Sequence, residues 1–236
     1  MTGTGASGDS RVTRPTTTKV RIVTERNQQV ARIDYEVDTE IKDEFEHRVI
    51  AEIQKYAPQA SAIVISDYLK GCITRAVVQA AVAAAAARGV PVLVDPKIPH
   101  VDYYTGTTVV TPNHNEAEIA ANLRVRSEDD ARRAARLFRD RAQCHSVLMT
   151  RGDQGMWLLG DNVEGHLPAA AREVADVTGA GDTVIAMLAL ALAAGGTLPE
   201  AARLANEAAG IVVARFGPAT VGVTELLKAM EAGAMS

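Results

Sequence analysis

Short β-branched runs alternating with stretches of helical spacing predict an α/β protein, with a mostly parallel central sheet and helices on both faces. Three observations carry this. The apolar runs SAIVIS (61–66), PVLVD (91–95), TTVVTP (107–112) and SVLMT (146–150) have the length and composition of buried strands. Segments of helical periodicity around 74–88, through Ala117 and over 129–142 separate them, and parallel strands need crossovers of about that length. Each run also ends in polar residues: Ser66-Asp67, Asp95-Pro96-Lys97, Thr111-Pro112-Asn113 and Thr150-Arg151-Gly152. Ligands of such sheets lie beyond the carboxyl ends of the strands. These four groups therefore mark one rim as the candidate site.

Taken in order, residues 1–17 are rich in Gly, Ser, Thr and Pro and offer almost nothing to bury, so a flexible tail is expected before a single domain over 18–236. Gly3, Gly5 and Gly8 match G-x-G-x-x-G, but no strand precedes them and no helix follows, so a dinucleotide site is not expected. From Lys19 the pattern KVRIVTERNQQVARIDYEV gives two short strands around a polar turn at 25–28. A helix over 40–56 precedes the first buried run. After Gly152 come two strands, GMWLLG and EGHLPA, then DVTGAGDT opening the apolar helix VIAMLALALAAG. A further helix runs from about Pro199 to Gly217, where Pro218 follows, and a last one covers 224–232. Trp157, Cys72 and Cys144 are expected to serve packing.

Bulk properties narrow the partners. At 236 residues with 47% hydrophobic side chains the chain can fill a real core. A net charge of -4 gives no electrostatic reason to expect nucleic acid or an anionic membrane, which leaves a small molecule. Two distant cysteines fit a reducing compartment and no structural metal. The first residues lack the charged-then-apolar form of a signal peptide, and the apolar run 184–194 is shorter than the roughly 20 residues a membrane span needs. A soluble cytoplasmic protein is expected.

The chemistry concentrates in DVTGAGDT. A helix beginning within GAGD leaves its first N–H groups unpaired with the positive end of the helix dipole behind them, and such a terminus attracts anions. Gly179 and Gly181 let a phosphate approach the backbone, with Asp182 beside it as a proton acceptor. Taken singly, the same residues also read as an ordinary turn and cap. No Gly-Lys-Ser/Thr follows, so this is not a Walker loop.

DVTGAGDT followed by an apolar helix resembles the C-terminal signature of the ribokinase-like (PfkB) carbohydrate kinases. The resemblance implies that the amides of Gly179, Ala180 and Gly181 form an anion hole and that Asp182 is the catalytic base. TPNHNEAE supplies Asn113-x-x-Glu116, similar to the family's N-x-x-E element, and TRGDQG resembles the loop, with Thr150 and Gly152, against which the nucleotide lies. Asn206 stands where the family places a residue near the adenine. RNQQVARIDYE, SDYLKG, VLVDPK and MTRGDQGM are most similar to the members that phosphorylate a heptose 7-phosphate at C1. ATP, Mg2+ and a phosphorylated sugar follow by implication. Glu116 would hold the magnesium through water, or else it is an exposed helical glutamate. Lys97 either faces the ATP phosphates or is a solvated side chain. Arg26, Gln28, Arg32 and Asp34 either contact the sugar phosphate or form a solvated hairpin face, with Arg32, Asp34 and Val30 on one side.

Family members usually begin with a strand and a Gly-Gly sugar-binding region, and nothing here matches it. The two strands near the start then read as remnant lid strands. A fragment, a shortened enzyme completed by another subunit, and a nucleotide-binding pseudokinase with an interaction role are the competing expectations, with homo-oligomerisation expected from the sheet edge left open.

Overall fold

The computed structural model describes residues 14–24, 29–170 and 174–234. Most of the predicted tail, with its three glycines, lies outside the described residues. The chain enters through an antiparallel ribbon, β1 (Thr18–Val23) and β2 (Gln29–Tyr35), which is a sheet of its own. Then follow α1 (Asp43–Tyr56), β3 (Ile63–Ser66), α2 (Arg75–Ala86), β4 (Val92–Asp95), β5 (Val109–Val110), α3 (His114–Ala121), α4 (Glu128–Ala142) and β6 (Ser146–Thr150). The chain ends with β7 (Met156–Leu159), β8 (Glu164–Leu167), α5 (Ala180–Ala193), α6 (Leu198–Val213) and α7 (Val223–Ala234).

Strands β3 to β8 form one sheet in sequence order, parallel through β6 and antiparallel for the last two pairings. Crossovers between parallel strands are right-handed, so strands added in one direction place their helices on one face. That face buries Val78, Ala81, Ala134 and Phe138 of α2 and α4 against Val92, Val94, Val147 and Met149. The opposite face needs another cover, and the chain returns after β8 to supply it. There Val184, Ile185 and Leu188 of α5, with Ala201 and Ala205 of α6, pack on Leu93, Leu148 and Leu158. Successive residues of one strand thus point into different cores, which is why the strand runs are apolar throughout rather than alternating.

Local chemistry sets the helix ends. Thr74 caps α2 through the Val77 amide at 3.2 Å, and Ser127 caps α4 through Asp130 at 3.1 Å. Helix α6 stops at Val213, four residues before the Gly217 boundary expected from the sequence, because the Val213 carbonyl accepts from the Ala175 and Asp176 amides at 2.7 and 3.1 Å. The loop ahead of α5 therefore takes up an end carbonyl of α6. Trp157 and Cys144 are buried as expected, and burial pushes the Cys144 thiol up to about 12. Cys72 corrects the expectation: it is exposed, on the turn between β3 and α2 where no layer covers it.

Candidate active site

All four polar strand ends lie along one edge of the sheet. Ser66 pairs with Asp95, the Asp67 amide donates to the Asp95 carbonyl at 3.1 Å, and Asn113 bridges Thr150. The GAGD turn meets this rim. Gly179, with φ of 79°, is the N-cap of α5, a left-handed conformation that favours glycine. A Cβ built on Gly179 or Gly181 would meet nothing within 4 Å, so the space in front of this helix start is open. The Ala180 amide turns back to the Val177 carbonyl at 3.2 Å, whereas those of Gly181 and Asp182 take no hydrogen bond among the described residues. The loop before them is held by Asp176, whose carboxylate accepts from the Thr178 amide and hydroxyl at 2.9 and 2.7 Å and from the Gly217 amide at 3.0 Å. The Thr178 hydroxyl, with those amides, keeps the Asp176 carboxyl below its ordinary value.

Asp182 is exposed at the mouth of α5, and Oδ1 accepts a hydrogen bond from the Tyr68 hydroxyl at 3.2 Å. Beneath Tyr68 lies a buried network. Asp67, 1% exposed, accepts from the Leu69 amide at 2.8 Å and the Tyr104 hydroxyl at 2.8 Å, with His100 Nδ1 at 2.7 Å. The Tyr104 hydroxyl in turn accepts from the Lys97 amide at 2.8 Å, and burial raises that phenol well above its ordinary value. A buried carboxylate is tolerated only when its lone pairs are satisfied in this way.

Asn113 and Glu116 are brought together as a reciprocal cap of α3. Asn113 Oδ1 accepts from the Glu116 amide, and Glu116 Oε2 from the Asn113 amide, both at 2.9 Å. The remaining oxygen, Oε1, receives Lys97 Nζ at 2.9 Å. Burial alone would lower the Lys97 ammonium, but Glu116 and the neighbouring carboxylates outweigh it and hold it above its ordinary value. Asp95 feels the opposite balance: burial first, then Glu116, Asp182 and Asp67, raise its carboxyl to about 6 against the pull of Lys97. His114 and Glu118 pair with each other at 3.3 Å, and the Val125 amide also bonds Glu118 at 2.7 Å.

At the other end of the rim, the Thr150–Gly155 turn is fixed by Gly155, φ 77°, where a Cβ would fall 2.1 Å from the Leu167 carbonyl oxygen. Gly152, with φ of 59°, has open space around it. Asn206 is buried, donates to the Pro168 carbonyl at 2.8 Å, and lines a cavity of about 830 Å3 with Pro168, Ala169, Arg203, Glu207 and Met230. Arg32 and Asp34 share a face of the ribbon as expected, but bond each other at 2.8 Å, and the Arg32 guanidinium keeps the Asp34 carboxyl below its ordinary value. Arg26 and Gln28 lie outside the described residues. Asp67 is one of the strand-end polar groups that the sequence placed on the rim, whereas Tyr68, His100 and Tyr104 were not singled out; the signal open for Tyr68 was the stretch SDYLKG.

The model of the family described as pfkB family carbohydrate kinase matches residues 9–225. The chain is 44% identical over 215 residues to the bifunctional protein HldE of Geotalea uraniireducens, covering 91% of this chain and 44% of that protein. It is 45% identical over 219 residues to that of Pectobacterium atrosepticum, covering 92% and 45%. The chain therefore spans less than half the length of these curated relatives. Among solved structures, Arabidopsis thaliana ribokinase complexed with ribose and ATP shares the fold with a TM-score of 0.69 at 20% identity, over 92% of this chain and 70% of that one. Phosphofructokinase-2 from Escherichia coli in complex with potassium does so with a TM-score of 0.70 at 20% identity, over 88% and 67%.

Proposed function

The chain belongs to the pfkB family of carbohydrate kinases, and on that premise we propose that it transfers the γ-phosphoryl group of ATP to the C1 hydroxyl of a heptose 7-phosphate or a similar sugar phosphate. The observation that carries this reading is the head of α5, where the amides of Gly181 and Asp182, unpaired among the described residues, open onto free space beside an exposed carboxylate. Asp182 takes the proton of the acceptor hydroxyl as its oxygen bonds to phosphorus and the bond to the ADP oxygen breaks. The amides, joined by the glycine-lined turn, steady the charge spread over the travelling group. Positioning and charge do most of the work, since phosphoryl transfer asks little of a base. The Asn206 cavity and the Thr150–Gly152 turn are the proposed nucleotide side, and Arg26, Gln28, Arg32 and Asp34 the sugar-phosphate side. The stretches RNQQVARIDYE, SDYLKG and VLVDPK, similar to members that phosphorylate a heptose 7-phosphate, support the heptose acceptor.

The donor set fits a divalent cation. Lys97 already places a cation on Glu116, and the Asp95 carboxyl is raised by burial first and then by the carboxylates of Glu116, Asp182 and Asp67. Among the described residues no group of three or more His, Cys, Asp or Glu side chains is set to hold a metal; magnesium keeps several of its waters and needs one or two carboxylates. Glu116 would hold the ion, which would neutralise phosphate charge. Among the described residues no helix is long and apolar enough to cross a membrane. A cytoplasmic enzyme that associates with itself completes the reading. The test is Asp182→Asn assayed with ATP and heptose 7-phosphate: turnover should fall by about 100-fold or more with ATP affinity nearly unchanged. Near-normal turnover would remove Asp182 from the role of base.

A further inference from the structure

Asp182 is the reacting group of the proposed kinase, yet its carboxylate is held by a residue 114 positions away. The bond from Tyr68 uses Oδ1. Tyr68 itself is 57% exposed, so packing does not explain why its ring takes this position. The turn that carries it does. Leu69 adopts φ of 53°, a left-handed conformation that costs a branched residue energy. The buried Asp67 carboxylate compels it by binding the Leu69 amide, and Asp67 is locked from below by His100 and Tyr104. On the far side, Lys70 bonds Glu36 at 2.5 Å, and Arg14 bonds the Lys70 and Val37 carbonyls, fastening the same turn to the segment that follows β2. A strained, doubly anchored turn thus delivers one phenol to one carboxylate oxygen.

We propose that Tyr68 is the positioning residue of Asp182: its hydroxyl fixes the carboxylate through Oδ1 so that Oδ2 is presented to the acceptor hydroxyl. The proposal rests on the reading of Asp182 as base. Tyr68 touches neither phosphate nor metal in this role and acts through Asp182 alone. It also joins the acceptor side to the chemistry, because the turn is tied both to the segment that follows β2 and to the rim.

The experiment is Tyr68→Phe in the full chain. Its expected result is a roughly 10- to 100-fold fall in kcat, the size set by a hydrogen bond to a charged group, with KM for ATP and the thermal midpoint unchanged. Tyr68→Ala should lose as much, and adding Tyr68→Phe to Asp182→Asn should lose nothing more. Wild-type kcat in Tyr68→Phe, a Phe variant that works where Ala fails, or a further loss in the double variant each overturns the proposal. Absence of turnover in the unmodified chain would instead count against the proposed function, and Tyr68 is then judged by a second readout. With 13Cζ-labelled tyrosine, the resonance missing from Tyr68→Phe identifies Tyr68; it should shift in Asp182→Asn, and an unmoved resonance overturns the proposal.

Discussion

The β1–β2 ribbon and strands β4 to β6 are both rich in β-branched residues, yet one is wet and the other dry. Val20 and Ile33 face each other across the ribbon and are each 43% exposed, whereas Leu93, Val94 and Val147 are at 0%. Apolar alternation makes the ribbon two-faced, but a two-stranded sheet has no layer of its own to bury against. The central strands are sandwiched between α2 and α4 on one side and α5 and α6 on the other. Polar contacts divide the same way. Lys19, Arg32 and Asp34 form surface ion pairs, worth little in water, while the Asp67 network is buried and fully bonded.

The contrast can be broken most directly in the dry layer. Phe138→Ala removes a fully buried ring from the α4 face and should cost about 3–5 kcal/mol in urea unfolding. A loss below about 1 kcal/mol would mean that this layer is as loosely held as the ribbon. At the rim the effect is electrostatic and smaller. The folded chain holds the Asp95 proton more tightly than the unfolded chain, whose ordinary value is 3.8. Stability from this group is therefore present below about pH 4 and is lost as pH rises through about 6. Asp95→Asn should flatten that decline and stabilise the chain at pH 7 by roughly 1 kcal/mol, the partly exposed carboxyl being screened by solvent. An unchanged pH profile of the unfolding midpoint would refute the raised Asp95 carboxyl, of which burial is the leading cause. In the ribbon, Ile33→Ala should change stability by less than about 0.5 kcal/mol. A larger loss would reveal that its apolar face is covered.

Much of the candidate site was legible because its parts are local. The GAGD turn, the strand-end polar groups and Asn113-x-x-Glu116 are each read within eight residues, where backbone geometry dictates what a helix start or a strand end presents. Asn113 and Glu116 were named through the resemblance to N-x-x-E, and the structure adds that they cap α3 reciprocally. What spacing could not give was any contact made across the rim. Lys97 on Glu116, Tyr68 on Asp182 and the burial and neighbouring charge that raise Asp95 join separate strand ends, and their partners are fixed only when the sheet order is fixed. The end of α6 was misjudged for the same reason, since a loop from before α5 takes the carbonyl of Val213.

By itself, the sequence determined the alternation of strands and helices, the rim on which the polar groups fall, and the open helix start at Gly179 to Asp182. Period and chain connectivity suffice for those. Only the tertiary structure decided that the ribbon stands exposed, that Arg32 and Asp34 bind each other, and that Tyr68 holds the carboxylate of Asp182. Those outcomes depend on which distant surfaces are brought within hydrogen-bonding reach, where burial and charge act through space rather than along the chain.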